Sequence, residues 1–174
     1  QTGDVDATMG EGVTLYAVSS STRASAKDAR RVDEEFKKAK ESGKIDKDAK
    51  VTTENLEKLG YKRDAAAKYS NSYDVYNSAK NVSQQDNVTS GFGNNGGEEF
   101  LSFLQTGESM IIGKDKDWKK WYSNVSGTLL GIQNNDGSWN GHHCITSPVF
   151  CTATSVLILT VNNDVDKLVA MGGK

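Results

Sequence analysis

The sequence predicts an all-α protein whose helices pair as αα-hairpins. Apolar residues recur at spacings of three and four along most of the chain. No stretch keeps the two-residue alternation of a strand, and residues that start and stop helices flank the periodic segments. A length of 174 residues is enough for one domain with a core of its own. Hydrophobic residues are 36% of the chain, and 21 basic residues stand against 23 acidic ones, for a net charge of -2. A balance that even provides no broad field to hold nucleic acid or an anionic membrane, so neither is expected as a partner. No apolar run approaches the ~20 residues that cross a bilayer, so no membrane span is expected. The organisation predicted is a set of N-terminal helical repeats in residues 1–80, a loop rich in Gly, Asn and Ser in 81–97, and a C-terminal helical repeat in 98–174.

The first predicted helix, 8–20, aligns Met9, Val13, Tyr16 and Ala17. The second, 25–40, puts Ala29, Val32, Phe36 and Ala39 on one face. Its charge run, Lys27 to Glu35, reads as a solvated surface. After a loop with Ser42 and Gly43, Thr52-Thr53-Glu54 opens a short helix with Leu56 and Leu59 inward, which Gly60 ends in a left-handed cap. The segment 64–80 places Ala66, Tyr69, Tyr73 and Tyr76 on one stripe, either as amphipathic packing or as the wall of a pocket. Asn-x-Ser/Thr sequons fall at Asn81, Asn87 and Asn124, where they matter only in a secreted eukaryotic protein.

Beyond Glu98, Phe100, Leu101, Leu104 and Ile111 give an amphipathic helix closed by Gly113. Asp117 is placed to cap the next, with its stripe Trp118, Trp121, Tyr122, Val125 and Leu129, and the two form a helical hairpin. Ser147 and Pro148 together mark a helix start. The helix they open is apolar almost all round and is expected to lie inside, covered on most sides. In the connector, Asn135-Asp136-Gly137 makes a turn, and Trp139 folds back over it. A buried Gln133 amide is expected to bond the free N–H groups of the following helix while the indole shields it. Cys144 and Cys151, seven apart, suit either a loop-closing disulfide or two free thiols. A Cys-His nucleophile pair is the remaining option for the run His142-His143-Cys144.

The series Leu129-x-x-x-Gln133-x-x-x-Gly137-x-Trp139, followed by Phe150-Cys151-Thr152-Ala153-x-x-x-Leu157, resembles the glutamine-tryptophan repeat of the squalene cyclase and protein prenyltransferase superfamily. Gly97-Glu98-Glu99-Phe100-Leu101 and Asp117-Trp118-Lys119-Lys120-Trp121-Tyr122 are similar to the last repeat of bacterial exported proteins of that kind. The resemblance covers about residues 96–162, reaches loosely over 9–40, and does not extend to 41–95. It implies a partial α/α toroid, the C-terminal part of a ring, in which Leu129, Gln133, Asp136, Gly137 and Trp139 join an outer helix to an inner one. Ser126 stands where the repeat usually has a basic residue before its glycine.

The superfamily's Asp-x-Asp-Asp acid motif and the Asp-Asp-x-x-Asp diphosphate motif of other terpene enzymes are both missing from the sequence. No catalytic residue is therefore assigned. The prenyltransferase branch implies zinc, for which His142, His143, Cys144 and Cys151, with Asp136 nearby, are the candidate ligands; no cofactor is otherwise expected. Gln1 in place of an initiator methionine, together with the resemblance, suggests a periplasmic or secreted protein. The function expected is a non-catalytic binding or assembly module that meets a protein partner or a separate N-terminal half of the ring. The alternative is an enzyme for a prenyl or polysaccharide-like substrate, with its catalytic half elsewhere and Tyr69, Tyr73, Tyr76, His142 and His143 lining the pocket.

Overall fold

Serine and threonine in succession usually weaken a helix, yet here Ser19 to Ser25 lie in the middle of one. The computed structural model describes residues 3–85 and 96–172, with side chains described from residue 15 onward. Its elements are α1 (Gly3–Glu41), α2 (Thr53–Lys58), α3 (Arg63–Ser83), α4 (Gly97–Ile112), α5 (Trp118–Gly131), α6 (Pro148–Thr160), a 3-10 turn (Val161–Asp164) and α7 (Val165–Met171). Among the described residues there is no strand, as the all-α prediction requires.

The two N-terminal helices expected from the sequence are one continuous rod. The Thr22 and Ser25 hydroxyls donate to the Val18 and Ser21 carbonyls at 2.8 and 2.7 Å, so they are satisfied without leaving the helix. The buried stripe is Leu15, Ser19, Thr22, Ala26 and Ala29, whereas Tyr16 and Ala17 face outward. Met9 and Val13 lie outside the described side chains. Helix α4 answers with small residues of its own: Ser102, Thr106 and Ser109 are buried, each bonded to the carbonyl four residues back. Small side chains on both rods let α1 and α4 approach closely, and the Ser19 and Ser20 hydroxyls reach across to Gln105 Oε1. The predicted stripe was displaced because it followed the largest side chains rather than the smallest.

Further along α1, the predicted face holds: Ala29, Val32, Phe36 and Ala39 are all buried. Val32, Phe36 and Ala39 meet Ile45, Leu56 and Ala66 in a satellite core formed with α2 and α3. Thr52 caps α2 by accepting from Asn55 N–H, and Gly60 takes φ +97 behind it. The main core gathers Phe100, Phe103, Met110, Trp121 and Leu129 from the C-terminal half together with Leu15, Ala29 and Tyr76 from the N-terminal half. The segments 1–80 and 98–174 therefore share one core. Of the loop expected over 81–97, residues up to Ser83 belong to α3 and Gly97 belongs to α4; residues 86–95, with Asn87, are outside those described.

The charge run of α1 contains one residue that is not on a wet face. Arg30 is 6% exposed and its Nη1 donates to the Val169 carbonyl at 2.7 Å and the Ile112 carbonyl at 3.4 Å. These are carbonyls near the C-terminal ends of α7 and α4, which carry partial negative charge; Val169 also accepts from the Gly172 N–H at 3.1 Å, so Arg30 adds a second donor there. Glu34 takes Arg30 Nε at 3.0 Å, and its carboxyl is held below the ordinary range by that hydrogen bond. Gly172 leaves the space the guanidinium occupies.

Helix α5 lies on α4 with the Trp121 ring over Gly107, where a Cβ would come within 2.7 Å of it. Trp118, Trp121, Val125 and Leu129 are buried as predicted, with Tyr122 partly so. Asp117 occupies the N-cap position of α5 without a side-chain cap bond, its carbonyl accepting from Trp121 N–H at 3.0 Å; Asp115 Oδ1 accepts from Asp117 N–H. Helix α6 departs most from expectation. It packs chiefly on α4, touching α5 only slightly, and is covered on one side: Val149 is 80%, Leu157 54% and Val156 46% exposed. A helix apolar all round was expected to be enclosed, but no described element reaches its outer face.

Arg30→Met keeps the volume and removes the donor, taking the charged hydrogen bond from the Val169 carbonyl and the side-chain partner from the Ile112 carbonyl. A loss of about 1–3 kcal/mol is expected, read as a fall in melting temperature of about 2–4 °C per kcal/mol; an unchanged melting temperature would show that water serves both carbonyls equally well.

Candidate functional site

The connector between α5 and α6 begins at Ile132, the C-cap of α5, and ends at Ser147, whose hydroxyl accepts from Phe150 N–H ahead of Pro148. Gly137, at φ +85, makes the predicted turn. Asp136 Oδ1 accepts from the Ser138 N–H and hydroxyl, which hold its carboxyl below the ordinary range. Trp139 then turns inward. It is 3% exposed, and its indole N–H donates at 2.8 Å to the carbonyl of the fully buried Leu129. Its backbone N–H donates to Thr152 Oγ1 at 3.0 Å, and that hydroxyl donates to the Trp139 carbonyl. One residue thus ties α5 to α6.

Gln133 does not make the expected bond. It is exposed, and its Nε2 donates to the Gly137 carbonyl at 2.8 Å, closing the turn on itself. The free N–H at the start of α6 is served by Ser147, so no distant amide is needed. Thr152 supplies the second half of the clamp. Its signal was the threonine one turn into α6, in the Phe150-Cys151-Thr152-Ala153 run.

Past Trp139, the chain crosses the start of α4 backbone to backbone. A Cβ on Gly141 would lie 3.0 Å from Gly96 Cα and from Gly97 N, and collide with the Ile145 carbonyl. A Cβ on Gly97 would lie 2.7 Å from the Phe150 ring, and one on Gly96 would strike the His143 carbonyl and the Glu98 carboxylate. Gly97 N–H donates to the Ile145 carbonyl at 2.7 Å across the crossing. Only residues without side chains fit at these three positions.

The crossing brings Glu98, in the first turn of α4, against His143 and Cys144. One ligand atom from each of these three lies within 4.8 Å of the other two. His143 Nδ1 is 3.1 Å from Cys144 Sγ. Cys144 has φ 57, a conformation rare for a residue with a side chain. Glu98 Oε2 is buried with no well-formed hydrogen bond. Partial desolvation, with the charge of the neighbouring Glu98 carboxylate and a weak thiol hydrogen bond to it, pushes the Cys144 thiol above its usual range. That is the opposite of what an activated Cys-His nucleophile needs.

The expected cluster is therefore assembled in part and with a different member. His143 and Cys144 belong to it, Glu98 joins them, and His142, Cys151 and Asp136 stay outside. Glu98 was missed because it is distant in sequence; the Gly96-Gly97 pair before it marked a place of close backbone approach. Cys144 and Cys151 are both free thiols, the first exposed and the second buried. Burial also raises the Cys151 thiol.

The tyrosines lie on α3, against α1. Tyr69 accepts from Arg31 at 3.0 Å, and Tyr76 donates to Asp115, where burial and the carboxylate push its hydroxyl far up. Tyr73 and Tyr76 line a cleft of about 480 Å³ shared with Arg30, Asp33, Lys80 and Asp115. Lys80 and Asp115 pair there at 2.8 Å. Neither histidine lines this cleft, and walls so charged do not suit a prenyl chain. Comparison with family models, with curated proteins and with solved structures finds no match to this chain.

Trp139→Ala is expected to cost about 3–5 kcal/mol, whereas Gln133→Ala, on an exposed turn, is expected to stay within about 0.5 kcal/mol; chemical denaturation compares the two, and equal losses would restore Gln133 to the clamp. Cys144 in the metal-free protein is expected to react with iodoacetamide more slowly than its exposure suggests, at a rate still rising at pH 9.0, while Cys151 reacts only on unfolding.

Proposed function

We propose that this chain is a non-catalytic assembly module, and that α6 is the face by which it joins a larger protein partner. The observation that carries this is the outer side of α6, where Val149, Val156 and Leu157 stand exposed beside Ala153. Scattered apolar residues are ordinary on a surface, but a contiguous stripe on one helix marks an interface. The helix contains no charged residue. An interfacial membrane helix would carry Lys or Arg on its polar side, so a lipid surface is the poorer fit.

Size argues for a partner other than a second copy of this chain. A helix of 13 residues is roughly 20 Å long. Pairing two such stripes covers on the order of 400 Å², far under the about 1,200 Å² of a stable interface. The partner must extend beyond α6 and take up further apolar groups, of which Ile145, just ahead of the helix, is exposed. This reading keeps the coarse part of the toroid resemblance, an open helical array that a neighbour completes, along with export as its setting.

Leu157→Glu and Val156→Glu are expected to leave the fold's stability within about 0.5 kcal/mol and to abolish a complex reconstituted from the purified chain and its purified partner. Analytical ultracentrifugation should show a monomer for the chain alone. A self-associated chain that these variants dissociate would make the occupant a second copy, and a complex that survives both would remove α6 from the interface.

A further inference from the structure

We infer that Glu98, His143 and Cys144 form a binding site for one divalent transition-metal ion of the zinc class, an inference that does not rest on the α6 docking face. The donor set is a carboxylate oxygen, an imidazole nitrogen and a thiol sulfur, the ligand types that zinc takes. Zinc at about 2.0–2.3 Å from each ligand sets the ligand atoms roughly 3.5 Å apart. The His143 and Cys144 atoms already stand at 3.1 Å, and all three lie within 4.8 Å. Small side-chain rotations close the set.

Three further observations point to a cation rather than to a chance cluster. Glu98 Oε2 is buried with no well-formed hydrogen bond, the Cys144 thiol being the weak donor beside this carboxylate, an arrangement that costs free energy unless something positive meets it. Cys144 is held at φ 57, so strained backbone presents this thiol. Gly96 and Gly141 remove the side chains that would push the carboxylate and the loop apart.

The chemistry fits the charges. A carboxylate beside a thiol disfavours the thiolate, whereas a bound divalent ion stabilises both anionic ligands and displaces the thiol proton to solvent. Three protein ligands leave a fourth position, which water fills in a monomer. The ion would fasten the loop that precedes α6 to the first turn of α4, two segments about 45 residues apart in sequence, read from 98 and 143. Cys151, whose Sγ faces the Ile145 carbonyl, stays out of the set.

The test is titration of the reduced, metal-free protein with zinc chloride against a chromophoric chelator, and with cobalt chloride followed by absorption. Expected are one ion per chain, a thiolate-to-cobalt charge-transfer band, and a melting temperature that rises with free zinc by about 5 °C or more at a hundredfold excess over Kd. Cys144→Ser should abolish the charge-transfer band, and Glu98→Gln and His143→Ala should each weaken zinc by more than about 100-fold. His142→Ala and Cys151→Ser serve as controls that bind normally. Circular dichroism identifies any variant that fails to fold, and the remaining ones decide. Absence of binding at micromolar zinc, or binding lost through His142 or Cys151 rather than through Glu98 and Cys144, overturns the assignment. A failed α6 complex with intact metal binding, or the reverse, separates this inference from the proposed function.

Discussion

Two stretches of backbone in contact, Gly141 against Gly96 and Gly97, set the geometry of the C-terminal half. Side chains would hold such segments several ångströms further apart, and the Gly97 to Ile145 hydrogen bond could not form. With the crossing in place, the connector has little freedom left. Trp139 reaches Leu129, Ser147 starts α6, and α6 is laid against α4 with its other side outward. The partner face and the Glu98–His143–Cys144 cluster are two consequences of one steric condition.

The N-terminal half obeys a similar rule by other means. Ser, Thr and Ala on α1 and α4 let two rods come together with few large side chains between them, and these buried hydroxyls are satisfied by their own helices. Packing of this kind yields contact area and dispersion with little apolar mass, so a chain of modest hydrophobic content still builds a continuous core. Larger groups fill the contacts with the remaining helices, Phe36 and Leu56 in the satellite core and Phe100 and Trp121 in the main one.

Much of the fold was legible because capping and periodicity are local. Thr52, Gly60, Gly113, Ser147 and Pro148 stood at or beside the observed ends, and the Trp118 to Leu129 stripe is the buried one. What escaped was non-local. A serine-rich segment continues as helix because its neighbour is also built of small residues, and Arg30 is buried because two distant helix ends need its donors. Apolarity on all sides of α6 measured what the helix would prefer to meet, not what this chain supplies. At the site, the adjacent residues His143 and Cys144 were visible and Glu98 was not, since only the glycine crossing joins them.

The Arg30 guanidinium and the Val169 carbonyl are separated by 139 residues. During synthesis at about 5–20 residues per second, the arginine is made roughly 7–30 s before the group it will bond. Glu34, one turn away, can neutralise it in the interval without drawing it from the helix. The long rod is thus able to form early and wait, and its closure is timed by the emergence of α7 from the ribosome.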